Sequence, residues 1–245
     1  MNKAEVIQTI YDLGIIPAVR VSSAEEAHFA ADAITTGGIP IVEITMTVPQ
    51  AVELIAHLVR EHDQILVGAG TVIDPETAKR CIDAGAAFLT APGFDPEIVE
   101  LAVKENLAVL PGALTPTEIV HAWRAGADLV KVFPCAQVGG ERYIKAVKAS
   151  LPRIPLIASG GVNQQNAGNF ILAGATAIGV GTELIPSEDI ALRQADRIHE
   201  LANRFIGSVR EARRRLAAFR EDRLEDKTDF EKLHERPIAG SRVRK

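Results

Sequence analysis

The stretch Gly126-Ala127-Asp128-Leu129-Val130-Lys131-Val132-Phe133-Pro134 decides the fold. Its Gly-Ala pair closes a helix-like segment with a glycine C-cap, and the apolar run that follows reads as a short buried strand. A lysine stands in the middle of that strand. Lysine is rarely buried unless it is paired or functional. Desolvation disfavours the ammonium form and lowers its pKa from an ordinary value near ~10.4, and the neutral amine is a nucleophile able to form a Schiff base with a carbonyl. The competing reading is a strand-end lysine that snorkels to solvent. The stretch alone leaves both open.

Working outward, the same pattern recurs. Apolar runs stand at Ile15–Val19, Ile41–Thr45, Ile65–Gly68, Ala87–Thr90, Ala108–Pro111, Leu129–Val132, Pro155–Ala158 and Ala177–Val180. Helix signals follow the runs: Ser22-Ser23-Ala24-Glu25-Glu26, an opening near Pro49, Asp74-Pro75-Glu76, Asp95-Pro96-Glu97 and Thr115-Pro116-Thr117-Glu118. These combine capping side chains, prolines at the first helical position and acids in the first turn. Gly85-Ala86 and Gly174-Ala175 echo Gly126-Ala127 before other runs. The runs are continuously apolar, as strands covered on both faces should be. Alternating strands and helices imply a parallel sheet, and eight units is the number that closes an α/β (β/α)8 TIM barrel. A doubly wound open sheet is the alternative, but the turn after Ile15–Arg20 has no G-x-G-x-x-G. The expected organisation is one barrel over residues 1–207 and a charged C-terminal extension over 208–245, helical as far as about Leu224 and a mobile tail from Glu225 onward.

The 245 residues are 47% hydrophobic and 24% charged, which suits a soluble globular chain with a substantial core. The net charge of −5 divides unevenly: residues 208–245 hold 12 Lys/Arg against 8 Asp/Glu, so the body is acidic and the extension basic. No signal peptide or membrane span is expected, and the location is expected to be cytoplasmic. Cys81 and Cys135 lack zinc spacing and read as structural thiols. His28, His57, His62, His121, His199 and His234 fall outside the strand ends and show no metal spacing, so no metal is expected. Scattered basic residues and 4% aromatics give nucleic-acid binding little support.

A barrel carries its chemistry at the C-terminal ends of its strands. Arg20, Glu43, Thr45, Gly68-Ala69-Gly70-Thr71, Pro92, Pro111-Gly112, Lys131, Ser159-Gly160-Gly161 and Gly181-Thr182 stand there. The loops after the seventh and eighth runs are the usual phosphate site of this fold, and their glycines let the backbone approach an anion. Glu43 is a carboxylate inside an apolar strand, where burial raises its pKa toward the range of a general acid–base group. With Lys131 it forms either a catalytic pair or a structural ion pair. Arg20 suits a substrate carboxylate, or else it is a surface arginine.

Val42-Glu43-Ile44-Thr45, Gly68-Ala69-Gly70-Thr71-Val72, Pro111-Gly112 with Thr115-Pro116-Thr117-Glu118, Lys131-Val132-Phe133-Pro134 and Ser159-Gly160-Gly161-Val162 occur together and in this order. Over roughly residues 3–206 the chain thereby resembles the 2-keto-3-deoxy-6-phosphogluconate (KDPG) / 4-hydroxy-2-oxoglutarate (KHG) aldolase family. The resemblance implies a class I aldolase without metal or cofactor, a homotrimer, acting on a phosphorylated keto acid. It implies Lys131 as the Schiff-base lysine and Glu43 as the acid–base residue. Thr71, Pro92, Phe133 and Ser159 would line the substrate pocket, and Arg20 would reach the pyruvyl carboxylate. Gly160, Gly161, Gly181 and Thr182 would hold the phosphate. Thr47 stands where many members carry arginine, which leaves carboxylate binding and substrate choice open; Ser159 replaces a common threonine but keeps the hydroxyl. The alternatives are an aldolase for the galactonate epimer or for unphosphorylated 4-hydroxy-2-oxoglutarate, a phosphosugar isomerase or epimerase on the same barrel, and a non-catalytic phosphosugar-binding protein.

Overall fold

The computed structural model describes residues 1–62 and 64–234, with side chains through residue 219. Helix α1 (Lys3–Leu13) leads into β1 (Ile15–Val19), and its start is held by a capping box between Asn2 and Glu5. The chain then alternates through α2 (Ala24–Thr36), β2 (Ile41–Thr45), α3 (Ala51–Glu61), β3 (Leu66–Gly70), α4 (Pro75–Asp83), β4 (Phe88–Thr90) and α5 (Pro96–Lys104). The expected caps form except at α3, which opens at Ala51 behind Gln50 at φ +56° without a side-chain cap, so that Pro49 stands before the helix and not in its first turn. Ser23, Asp74 and Asp95 accept hydrogen bonds from first-turn backbone N–H groups, and Thr115 and Glu118 cap α6 (Pro116–Ala125) reciprocally. Each such cap contributes about 1 kcal/mol.

The fifth apolar run departs from expectation. It divides at Pro111 into β5 (Ala108–Leu110) and β6 (Gly112–Ala113). Proline has no N–H to donate to a ladder, so the strand breaks there and changes neighbours. β5 pairs with β4, whereas β6 pairs with β7 (Val130–Val132). The remaining elements are α7 (Glu141–Ser150), β8 (Leu156–Ser159), α8 (Ala167–Leu172), β9 (Ala177–Val180), α9 (Ser187–Ala191) and α10 (Ala195–His234). All pairings are parallel, in the order β5-β4-β3-β2-β1-β9-β8-β7-β6. The two ends of that order are consecutive in the chain. Hydrogen bonds from Lys131 N to the Pro111 carbonyl (2.9 Å) and from Asp128 N to the Val109 carbonyl (3.0 Å) complete the ring. The eight expected βα units are thus present as a parallel α/β barrel, its fifth strand in two pieces.

Every residue of β2 and β3 is buried, which explains their unbroken apolar character. α1 packs against β5 and β9, and its Lys3 pairs with Asp128 at 3.0 Å. α10 crosses residue 207 without a break and packs on α8 and α2, with Val209 and Ala212 buried. Arg213 donates to the carbonyls of Tyr11, Asp12 and Thr176 beyond the end of α1. The backbone of residues 225–234 continues in this helix, and the rest of the expected mobile tail lies outside the described residues. Among the described residues no helix is long and apolar enough to cross a membrane.

Candidate active site

Two charged side chains enter the barrel from different strands. Lys131 lies mid-strand in β7, opposite Gly112 and Ile157, and is 9% exposed. Glu43 lies mid-strand in β2, opposite Ala18 and Gly68, and is 3% exposed. They meet as an ion pair with Lys131 Nζ 3.5 Å from Glu43 Oε1. Lys131 Nζ also donates to Thr90 Oγ1 at 3.4 Å and sits 5.8 Å from the centre of the Phe133 ring. The snorkelling lysine is therefore excluded. Two charges withdrawn from water tolerate each other only as a pair, and both contacts are long enough for a substrate atom to replace one of them.

Room for the pair is made by a glycine. A Cβ on Gly70 would lie 2.1 Å from Glu43 Oε1, so only glycine at the end of β3 lets the carboxylate stand where it does. On the opposite wall, Gly160 and Gly161 follow β8 with φ of +85° and +80°, a backbone that residues with a Cβ rarely adopt. Added Cβ atoms would meet Pro134 Cα at 2.9 Å and Ala136 Cβ at 2.3 Å, respectively. The turn is fixed from behind: the Gly160 carbonyl accepts from Ala136 N, and Asn166 Nδ2 donates to the Gly161 carbonyl.

These groups open into one cavity of about 500 Å³. Arg20, Glu43, Thr71, Pro92, Lys131, Phe133, Ser159, Gly160, Gly161, Gly181 and Thr182, every site residue expected from the sequence, line it. Arg20 and Thr182 stand exposed toward solvent, while Ser159 is 8% exposed, so the cavity grades from a buried amine to a wet, glycine-rich rim. Sequence reasoning missed Thr90, a hydroxyl that ends the apolar run Phe88-Leu89-Thr90. It also passed over Asn163 and Glu183, two further polar side chains on the wall.

Thr47 lines the cavity too. The single proton of the Thr45 hydroxyl goes to the Val19 carbonyl at 3.0 Å, so in the 2.7 Å contact between Thr45 and Thr47 it is Thr47 that donates. Thr47 thus lines the cavity with its proton engaged by Thr45. Arg20 lines the same cavity as an exposed cation. The cysteines are set apart from the chemistry: burial pushes the Cys135 thiol up to about 12 and the Cys81 thiol up to about 11. Both stay protonated at neutral pH, in keeping with structural roles.

A family model described as KDPG and KHG aldolase matches residues 6–201. The chain belongs to the KDPG/KHG aldolase family. Among relatives in this family, the 2-dehydro-3-deoxy-6-phosphogalactonate aldolase of Escherichia coli K12 is 34% identical over 202 residues, 82% of this chain and 96% of that protein. The 2-dehydro-3-deoxy-phosphogluconate aldolase of Treponema pallidum is 29% identical over 204 residues, 83% of this chain and 97% of that protein. The crystal structure of a KDPG aldolase from Legionella pneumophila, with pyruvate captured as a covalent carbinolamine intermediate, superposes with a TM-score of 0.75 at 28% identity, covering 80% of this chain and 96% of that one.

Three of the histidines gather away from the strand ends. His28, His57 and His62, apart in the sequence, come together with Asp32 and Glu61 across α2 and α3. None of these five residues lines the cavity at the barrel mouth.

Proposed function

We propose that this KDPG/KHG aldolase cleaves 2-dehydro-3-deoxy-6-phosphogluconate to pyruvate and glyceraldehyde 3-phosphate through a Schiff base on Lys131. The observation that carries this reading is the buried Lys131–Glu43 pair, 3.5 Å apart at the floor of the glycine-rimmed cavity. The Lys131 amine adds to C2 of the keto acid, giving a carbinolamine that loses water to become a protonated imine. Glu43 takes the proton of the C4 hydroxyl, directly or through water. The C3–C4 bonding pair flows into the imine, releasing the aldehyde and leaving an enamine. Protonation at C3 and hydrolysis return pyruvate and the free amine. Thr71, Pro92, Phe133 and Ser159 enclose the substrate, with Arg20 on its carboxylate. Gly160, Gly161, Gly181 and Thr182 hold the phosphate, and this grip far from the breaking bond orients it.

The test is borohydride reduction with pyruvate, followed by intact mass and peptide mapping. The expected result is one reduced pyruvyl adduct on Lys131. A folded protein that gives no adduct would sink the imine mechanism and return Lys131 to a structural ion pair.

A second substrate reading has its own support. Identity to the galactonate-epimer aldolase, 34%, exceeds the 29% to the gluconate enzyme of Treponema, and Thr47 removes a cationic constraint from the wall. Rates with the two epimers, compared as kcat/KM, decide between them. Unphosphorylated 4-hydroxy-2-oxoglutarate, cleaved to pyruvate and glyoxylate, belongs in the same comparison. The family resemblance further supports a cytoplasmic homotrimer, for which light scattering should return three times the chain mass.

A further inference from the structure

We propose that His28, His57 and Glu61 form a divalent transition-metal site on the outer face of the barrel, of the kind that binds zinc. The chemistry lies in two helices. His28 and Asp32 stand four residues apart on α2, and His57 and Glu61 four apart on α3, so each pair shares one helix face. Packing turns these faces toward each other. Glu61 Oε2 is 2.7 Å from His28 Nε2 and 3.2 Å from His57 Nε2, and all three atoms lie within 4.8 Å of one another. A tetrahedral ion with bonds of ~2.0–2.2 Å holds its ligand atoms roughly 3.3 Å apart, so small rotamer adjustments suffice. The two imidazole rings are 5.4 Å apart and tilted by 42°.

A carboxylate stands ready to orient one of the rings. His28 faces a carboxylate through each ring nitrogen: Nε2 toward Glu61, and Nδ1 toward Asp32 Oδ2 at 3.2 Å. An imidazolium satisfies both by donating through each nitrogen, and a metal on Nε2 would satisfy them equally, leaving the Nδ1 proton to Asp32, which would fix the ring as an outer-shell carboxylate does. His62 Nε2, 3.8 Å from Glu61 Oε2 and 3.2 Å from Asp32 Oδ1, and that same Asp32 oxygen are both buried without a hydrogen-bond partner. The groups that converge are His28, His57 and Glu61, and water completes the coordination. Two carboxylates among neutral imidazoles match a divalent charge, and imidazole donors favour Zn²⁺, Ni²⁺ or Cu²⁺ over Mg²⁺ or Ca²⁺. Bound there, the ion joins α2 to α3, the two helices that flank Glu43-bearing β2 in the chain.

The test is calorimetric titration of the chelator-treated full chain with Zn²⁺ at pH 7.5, alongside Co²⁺ absorption as a probe of coordination geometry. The expected result is one saturable site per chain, a tetrahedral Co²⁺ spectrum, and a Tm raised on the order of 5 °C at ~100-fold excess over Kd. His28→Ala and His57→Ala should each weaken binding by more than the ~10–100-fold typical of losing an outer-shell partner, and Asp32→Asn by about that amount. His121→Ala, outside the cluster, serves as the folded control and should bind as the parent does. Absence of a saturable site, or a site that survives both His28→Ala and His57→Ala in variants with parental circular dichroism, would overturn the proposal.

Discussion

The barrel mouth and the α2–α3 histidine cluster use the same kinds of side chain in opposite surroundings. At the mouth, one lysine and one glutamate project from strands that are otherwise apolar, and each is nearly withdrawn from water. On the outer face, histidines and carboxylates sit on amphipathic helices where charged residues are ordinary, with side-chain exposures of 29% for His28 and 55% for His57. The difference teaches that an ionisable residue declares itself in a sequence when its position is costly. A lysine inside Val130–Val132 demands an explanation, whereas a histidine on a helix surface demands none.

Four substitutions probe the contrast, from the largest expected effect to the smallest. Lys131→Met should abolish turnover, by about 10⁴-fold or more, because among the described residues lining the cavity no other side chain offers an amine for the proposed imine. It should also destabilise the protein by ~3–5 kcal/mol, since Glu43 is left buried and unpaired. Adding Glu43→Gln should recover part of that loss in a urea melt without recovering activity. If Lys131→Met keeps measurable cleavage, the mouth is not where the covalent chemistry happens.

Glu43→Gln alone should lower kcat by ~10²–10⁴-fold while leaving borohydride-trappable adduct on Lys131, because the proposed proton transfer is lost but the proposed nucleophile remains. Equal loss of adduct and turnover would recast Glu43 as a group that only positions the amine. Gly70→Ala should cost roughly 10²-fold in kcat at little change in KM, since the new Cβ displaces the Glu43 carboxylate by a fraction of its own length. Parental kinetics in that variant would mean the carboxylate moves freely and its placement is not critical. His57→Ala, measured without added metal, should leave kcat/KM unchanged and stability within ~0.5 kcal/mol. A loss of turnover there would erase the distinction between the two regions.

Much of the fold was legible because its signals are local. Ile15–Val19 and Ile41–Thr45 are strands over the very residues expected, and the Thr115–Glu118 capping box forms as its spacing requires. The divided fifth strand was not legible: Pro111 marked a turn, but that the chain exchanges β4 for β7 as a neighbour depends on where the ring closes. At the mouth, Lys131, Glu43 and the glycine pair were readable as anomalies in apolar runs. Thr90 was overlooked because a strand-end threonine is unremarkable until the Lys131 ammonium stands 3.4 Å away. Thr47 was visible as a departure from the family, but the engagement of its proton by Thr45 required the Thr45 and Val19 contacts.

By itself, then, the amino-acid order determined the βα alternation, the parallel barrel and the identity of the buried amine, because periodicity, caps and the cost of burying charge act within a few residues. Only the tertiary structure decided which groups meet. Lys131 and Glu43 are 88 residues apart, and His28 and Glu61 are 33 apart. Their distances follow from ring closure and helix packing, which no local property of the chain encodes.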